Sequence, residues 1–394
     1  MKTHLARLVA ALTSFKLAVF ILLGLFVATW LGTIAQAKIG LYQAQRKYFE
    51  SFFYFGPEEP LFGFLRFPLP GGLLLMALLA VNLIAGGIIR VRWTLSRAGI
   101  LLMHFGVVML LVAGWARWAY AEEGAIGLLE GERGAEYTSY FESEIALAEI
   151  GAEGVVREWL VPDRVIHVGG AVCRASFSGV PLRLEITGFV ENADVLPKGP
   201  MFAAPSPVLD GYFVQPAALE AQAEANLPAC YATVIAEGAS PQQGILWMGA
   251  RAPWTVRAGE RVFTLELRKR RYPLPFEIEL VKFTHEYHPG TDMPRHFQSD
   301  VIVRDSSGVP QPLLIRMNEP LRRDGFVAYQ SSFRENPAEP TRLYSELAVV
   351  RNPADQWPLY SLIVMTLGMF IHFVAKLFRW IARETAKPQT ELAR

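Results

Sequence analysis

The sequence predicts a polytopic α-helical membrane protein, with four transmembrane helices and a large β-rich extracytoplasmic domain inserted between helices three and four. Three observations carry this. Of the 394 residues, 52% are hydrophobic, above the usual share for a soluble chain. Four windows are apolar and long enough to cross a hydrocarbon core, which takes roughly 20 helical residues. Between the third and fourth windows the apolar period changes from helical to alternating.

The windows are 15–35, 70–89, 99–119 and 358–378. Lys2, Arg7 and Lys16 precede the first, as in a secretion signal, but its apolar run is longer than a signal needs and lacks a small-x-small cleavage site. It reads as a retained anchor. Short flanks rich in Lys and Arg favour the cytoplasmic side. The N-terminal flank, the loop with Arg90, Arg92 and Arg97, and the tail with Lys376, Arg379, Arg383, Lys387 and Arg394 therefore predict that both termini are cytoplasmic. The expected layout is a three-helix region over 1–119 with an aromatic-rich outer loop (37–69), an extracytoplasmic domain over 120–357, a fourth helix over 358–378 and a basic cytoplasmic tail over 379–394.

In the outer segment, "SEIALAEI", "PLRLEITGFV", "RVFTLELRK", "FEIELVKF", "SDVIVRD" and "RLYSELAVV" are short alternating runs separated by turn residues. They predict antiparallel strands in a sandwich-like or open-barrel arrangement. "PAALEAQAEANLP" (216–228) is the best helical stretch there, and 180–200 aligns faintly with 274–294 as an internal repeat. Loop 37–69 carries Tyr48, Phe49, Phe52, Phe53, Tyr54, Phe55, Phe62, Phe64 and Phe67. Such rings suit the headgroup region of a lipid bilayer, and the sharper alternative is a cover over a flat apolar ligand.

The net charge of +1 gives no clustered basic surface, which excludes a nucleic-acid partner. Cys173 and Cys230 fall in the outer segment, where a disulfide is permitted; two unpaired thiols in an apolar interior are the alternative. No CxxC, G-x-S-x-G or phosphate-cradling glycine pattern is present, so thioredoxin, hydrolase and kinase chemistry have no support.

His104, in "GILLMHFGVVMLLVAG", is the residue that composition does not explain, because an ionisable side chain at membrane depth is by default a functional-site hypothesis. The bland alternative is a neutral imidazole bonded to a neighbouring helix. His372, in "LGMFIHFVAKLF", is expected at similar depth. Neutral imidazole is a good iron ligand, so the two could clamp a haem; equally, His104 could pair with a histidine of another subunit and leave His372 structural. His285, His288 and His296 have no standard zinc spacing and read as loop residues.

Several motifs resemble the ResB-like family. The first helix ends in a G-T-x-x-x-Q-like element, Gly32, Thr33 and Gln36; the third carries His104 and is followed by "EEGAIGLLEGE". Late in the outer segment, "MNEPLRRDGFVAYQSSF" matches the family's x-N-x-P and G-x-x-x-Y-Q elements through Asn318, Pro320, Gly325, Tyr329 and Gln330. The resemblance implies a non-catalytic or co-catalytic subunit of a System II cytochrome c haem-lyase complex. Its cofactor would be transiently held haem b, its partners a CcsA-like haem-handling membrane protein and apocytochrome c. His104 would be the haem ligand, with His372 a weaker candidate. The chain has no tryptophan-rich haem-handling segment, so that partner would supply it. The competing expectation is a non-catalytic scaffold that presents a β domain to another membrane complex, with both buried histidines structural.

Overall fold

The computed structural model describes residues 2–55, 68–152, 154–166, 172–199, 207–291, 294–335 and 342–385. In chain order it begins with α1 (Lys2–Leu12), α2 (Phe15–Ile39), α3 (Leu41–Tyr48), β1 (Phe53–Phe55), β2 (Pro68–Pro70), α4 (Gly72–Asn82), a π-helical segment (Leu83–Ile89) and α5 (Ala98–Tyr120). Next come β3 (Glu122–Leu129), β4 (Arg133–Gly151), β5 (Gly154–Pro162), the single turn α6 (Asp163–Ile166), β6 (Cys173–Ser176), β7 (Leu182–Val190), β8 (Ala193–Pro197), β9 (Tyr212–Pro216), β10 (Ala229–Ala236) and β11 (Gln242–Trp247). The chain continues with β12 (Trp254–Ala258), β13 (Arg261–Tyr287), β14 (Pro294–Arg304), β15 (Gln311–Arg316), β16 (Leu321–Arg323), β17 (Phe326–Glu335), β18 (Leu343–Arg351) and α7 (Trp357–Thr385). It divides into two compact units, a helical one (Met1–Ala121 with Asn352–Arg394) and a β-rich one (Glu122–Arg351).

In the helical unit, four helical spans, Phe15–Ile39, Gly72–Ile89, Leu95–Tyr120 and Trp357–Thr385, are long and apolar enough to cross a membrane. The last runs seven residues beyond the expected end at 378, because Trp380 and Ile381 prolong the apolar sequence and the Arg379 Nε donates to the Ala375 carbonyl. Ser14 caps α2 by accepting from the Leu17 amide at 3.1 Å. The corner before it is clamped by a polar residue inside an apolar helix. Asn82, 6% exposed, donates to the carbonyls of Leu12 (2.6 Å) and Ser14 (3.1 Å), and Arg90 donates to Thr13 Oγ1 (2.7 Å).

Helices α5 and α7 run antiparallel along a seam of small residues spaced by seven. A Cβ built on Gly99 would stand 2.5 Å from the Gly368 carbonyl oxygen, and one on Gly106 would stand 3.0 Å from that of Ser361. Ala113 and Ala116 pack on Ala354. Small residues at both sides let the two backbones approach closely, the packing that favours association of apolar helices.

The β-rich unit is antiparallel at every strand pair among the described residues and is built on two long strands. The first part of β13 and the last part of β4, flanked by β12 and β5, form a half-sheet. It shares a core with a second sheet ordered β11-β10-β7-β6; Ile145, Leu147, Leu184, Val234, Phe263 and Leu265 fill it. The remainder of β4 and β13 belongs to a sheet ordered β15-β14-β13-β4-β3-β18-β17-β16, which curls around Ile278, Leu280, Val301, Val303, Leu347 and Val349. Its two end strands meet at the tight turn after Arg316. One lobe is thus two sheets on a shared core and the other a single curled sheet, where the sequence left sandwich and open barrel as alternatives.

The runs "RVFTLELRK" and "FEIELVKF" are one bent strand. Its pairing with β4 breaks between Pro273 and Ile278, so Pro275 sits where no ladder bond is required. Arg268, 13% exposed, holds Glu144 on β4 (2.9 Å) and Glu158 on β5 in a two-pronged ion pair (2.9 and 3.0 Å) beside this bend.

The stretch 216–228 forms only a 3-10 turn, Ala223–Ala225, instead of the expected helix. Polar side chains take its backbone groups: Asn192 donates to the Ala218 carbonyl and accepts from the Leu227 amide, and Asn226 accepts from the Glu220 amide. The two segments of the suspected repeat are both strands but have different neighbours, β6 and β10 for β7, β4 and β14 for β13.

Candidate functional site

His104 lies six residues into α5, about 9 Å along its axis. Its Nδ1 is 3.0 Å from the Gly87 carbonyl oxygen in the π-helical segment. A carbonyl can only accept, so Nδ1 carries the proton and donates. In the neutral ring this is the tautomer whose Nε2 keeps its lone pair. The Gly87 carbonyl is available because it lies within the last turn of its helix, where carbonyls lose their intrahelical partners; the neighbouring Ile88 carbonyl is likewise taken, by the Trp93 indole N–H at 3.1 Å.

Glycine at 87 is what admits the ring. A Cβ there would stand 2.9 Å from the His104 Nδ1 and 3.0 Å from its Cγ. The preceding Gly86 faces another way, against the backbone of Thr13. Each glycine of this pair thus seats a different part of the helical unit. This geometry, an imidazole held through Nδ1–H by a carbonyl with its other nitrogen free to ligate, is the usual arrangement behind a metal-bound histidine.

His372 does not share the face of His104. Its backbone abuts Gly99, five residues before His104 on α5, so it is offset by about 7.5 Å along the axis and about 140° around it. The expectation of similar depth is corrected here: the Gly99–Gly368 contact fixes the helix register. The His372 Nδ1 is buried with no hydrogen-bond partner among the described residues, and its ring lies 5.8 Å from that of Phe373. A donor set of one prepared imidazole fits haem ligation from one side; the two histidines of this chain are not brought together as a pair.

Of the elements expected from the first helix, Gly32 is buried where α2 meets α3, and a Cβ there would be 3.0 Å from the Phe49 ring. Thr33 donates to the Thr29 carbonyl (2.8 Å), and the Gln36 carbonyl accepts from Gly40, which ends the helix. In the aromatic loop, Tyr48 and Tyr54 are buried edge to face, 4.8 Å apart, while Phe52, Phe53 and Phe55 are exposed. Phe62, Phe64 and Phe67 lie outside the described residues.

In the β-rich unit the motif residues are architectural. Asn318 takes a left-handed φ of 66° in the turn closed by Arg316 and Glu319, which pair through backbone and side chains, and Pro320 leads into β16. Asp324 and Gly325, with φ of 49° and 80°, make the two-residue hairpin turn between β16 and β17. Gln330 is the interior member. Its amide oxygen accepts from Ser299 on β14 (2.6 Å) and its amide nitrogen donates to Ser345 on β18 (3.0 Å), so it ties three strands together. Tyr329 points outward, 36% exposed.

Cys173 and Cys230 are free thiols in the sandwich core. They sit on β6 and β10, with β7 between, and two strand spacings of about 4.8 Å already exceed a disulfide's Cα reach. Burial, then the neighbouring Cys173, pushes the Cys230 thiol up to about 12. Among the described residues no group of histidine, cysteine and carboxylate side chains forms a metal site, and His285 instead stacks on Phe333 at 4.7 Å.

The residues that sequence reasoning missed are Asn82, Gly87 and the small-residue seam. The usable signs were an amide inside an apolar run, paired glycines before a basic loop, and seven-residue spacing of small side chains.

No curated protein matches the chain. The family model for the ResB-like family matches residues 91–344, which takes in His104, the whole His-bearing helix and the motif residues from Asn318 to Gln330, and leaves Gly32, Thr33, Gln36 and His372 outside. With close to two thirds of its length matched, the chain belongs to the ResB-like family.

Proposed function

We propose that this protein is the membrane subunit of a System II-type cytochrome c maturation complex that carries haem at His104 and helps present it for attachment to apocytochrome c. The family is linked to cytochrome c biogenesis. The observation that carries the reading is the Gly87 carbonyl holding the His104 Nδ1–H, which leaves Nε2 as a fixed donor inside an apolar helix pair. Haem is the cargo, and its porphyrin edge is what becomes joined to the client.

The chain's own residues do three things in this account. His104 would hold the haem iron through Nε2, and the Gly87 carbonyl holds the ring by its Nδ1–H. The exposed Arg90, Arg92 and Arg97, between the π-helical segment and α5, put positive charge at the end of the helix pair nearest His104, which suits an anionic group such as a propionate. The same arginines orient that end toward the cytoplasm of a bacterial inner membrane, with both termini inside and the β-rich unit outside. A further ligand to the haem iron would have to come from a CcsA-like partner, because His372 is held on another side of α5.

A scaffold reading assigns His104 only the task of satisfying the Gly87 carbonyl. Co-purification with the CcsA-like partner separates the two readings. A Soret band that is lost in His104→Ala, with a parallel loss of cellular cytochrome c, supports haem carriage. An absent band in the wild-type complex and a normal cytochrome c pool in a deletion strain support the scaffold.

A further inference from the structure

The helix pair that holds His104 also forms a second feature, with different chemistry. Between α4, α5 and the end of α3 opens a cleft of about 370 Å³. Its walls include Met76, Ala77, Ala80 and Leu111, and its mouth is framed by Trp115 and Trp118. Ala80 and Leu111 each lie seven residues from Gly87 and His104 respectively, so the floor is about 10 Å from that contact.

Among the described lining residues, an amide and a carboxylate reach the cleft from the end of α3 and just beyond it, beside the indole N–H groups of Trp115 and Trp118. Gln45 Nε2 donates to Glu50 Oε1 at 2.9 Å, and both side chains border the cavity. The pair therefore presents a carboxylate oxygen that can accept and, one bond away, a second amide N–H that can donate. The indole rings offer flat apolar faces at the same mouth. The carboxylate repels an anionic headgroup, so the occupant differs in kind from a porphyrin bearing propionates.

We propose that this cleft binds a membrane quinol or quinone: a flat ring with hydroxyl or carbonyl oxygens and an apolar isoprenoid tail. A quinol hydroxyl donates to Glu50, a quinone oxygen accepts from Gln45, the ring lies against Trp115 and Trp118, and the first part of the tail runs down the cleft along Ala77 toward the floor at Ala80. The assignment stands on the cleft's own chemistry and does not depend on haem binding at His104.

The test uses the full-length protein in nanodiscs of defined phospholipid, titrated with decylubiquinone and its reduced form, with binding read by equilibrium dialysis against empty nanodiscs. Saturable binding at one site is expected. Gln45→Leu should weaken the oxidised form and Glu50→Leu the reduced form, each about three- to tenfold, as for one lost hydrogen bond. Ala80→Phe should abolish both by filling the floor. Should that variant misfold, the two rim substitutions decide alone. Non-saturable uptake equal to that of empty nanodiscs, or binding indifferent to both rim substitutions, would mean that the cleft holds bulk acyl chains and would overturn the proposal.

Discussion

Gly87→Ala is the substitution that most sharply separates an oriented ligand from a histidine that merely fits. In a helix, replacing glycine by alanine ordinarily favours folding by about 0.5–1 kcal/mol. At position 87 the added carbon would stand 2.9 Å from the His104 Nδ1 and 3.0 Å from its Cγ, so the ring must turn or the helices must part. Overpacking of this kind costs about 1–3 kcal/mol, which outweighs the propensity gain. The larger effect is on the nitrogen, since losing the partner that orients a metal-bound histidine typically lowers affinity by about 10- to 100-fold. Gly114→Ala is the control, because a Cβ there meets nothing within 4 Å. The assay is haem retained per complex after co-purification with the partner, alongside thermal unfolding. We expect Gly87→Ala to lose haem while Gly114→Ala retains it. Equal haem in the two variants would refute the argument that the carbonyl sets the ligand.

Other outcomes follow from the β-rich unit. Gln330→Leu strips two buried serine hydroxyls of their amide partner, and thermal unfolding should show a loss of about 1–3 kcal/mol, with Tyr329→Phe near neutral by comparison. Cys230, its thiol held up to about 12 by burial, should resist alkylation at pH 8 in the folded protein and react fully in denaturant. A native protein two mass units lighter than its reduced form would contradict the separation of the two thiols by β7. Acid should destabilise the unit in a defined window. Asp305 is held below its ordinary value, first by Ser307 and then by Arg323, and Glu149, Glu279 and Glu319 by their arginines. Each depressed carboxyl stabilises fully above its unfolded value, near pH 4, and loses that contribution as pH falls through the folded value. Melting temperature should therefore hold above about pH 5 and drop below pH 4, less steeply in Asp305→Asn.

The elements that sequence revealed best were those whose apolar pattern is purely local. Each alternating run from "SEIALAEI" to "RLYSELAVV" is a strand, because period-two burial is written into neighbouring residues. What stayed hidden depends on distant contacts. The two expected strands are one continuous β13 whose pairing with β4 is interrupted between Pro273 and Ile278, and the Ser299–Gln330 bond inside the curled lobe joins residues 31 apart. His104 stood out because imidazole is costly among apolar residues. Its partner did not, because Gly87 contributes only a carbonyl and an absent side chain. His372 looked equivalent in the sequence; only the register of the Gly99–Gly368 seam reveals that it faces elsewhere.

The most direct measurement is the visible spectrum of the protein purified with the proposed CcsA-like partner, comparing wild type, His104→Ala and His104→Ala supplied with free imidazole. The account predicts a Soret band in the wild type, its loss in the variant and its return with imidazole, because the substitution leaves a ligand-shaped gap at the nitrogen. An undiminished band in His104→Ala, or a band lost instead through His372→Ala alone, would contradict His104 as the ligand.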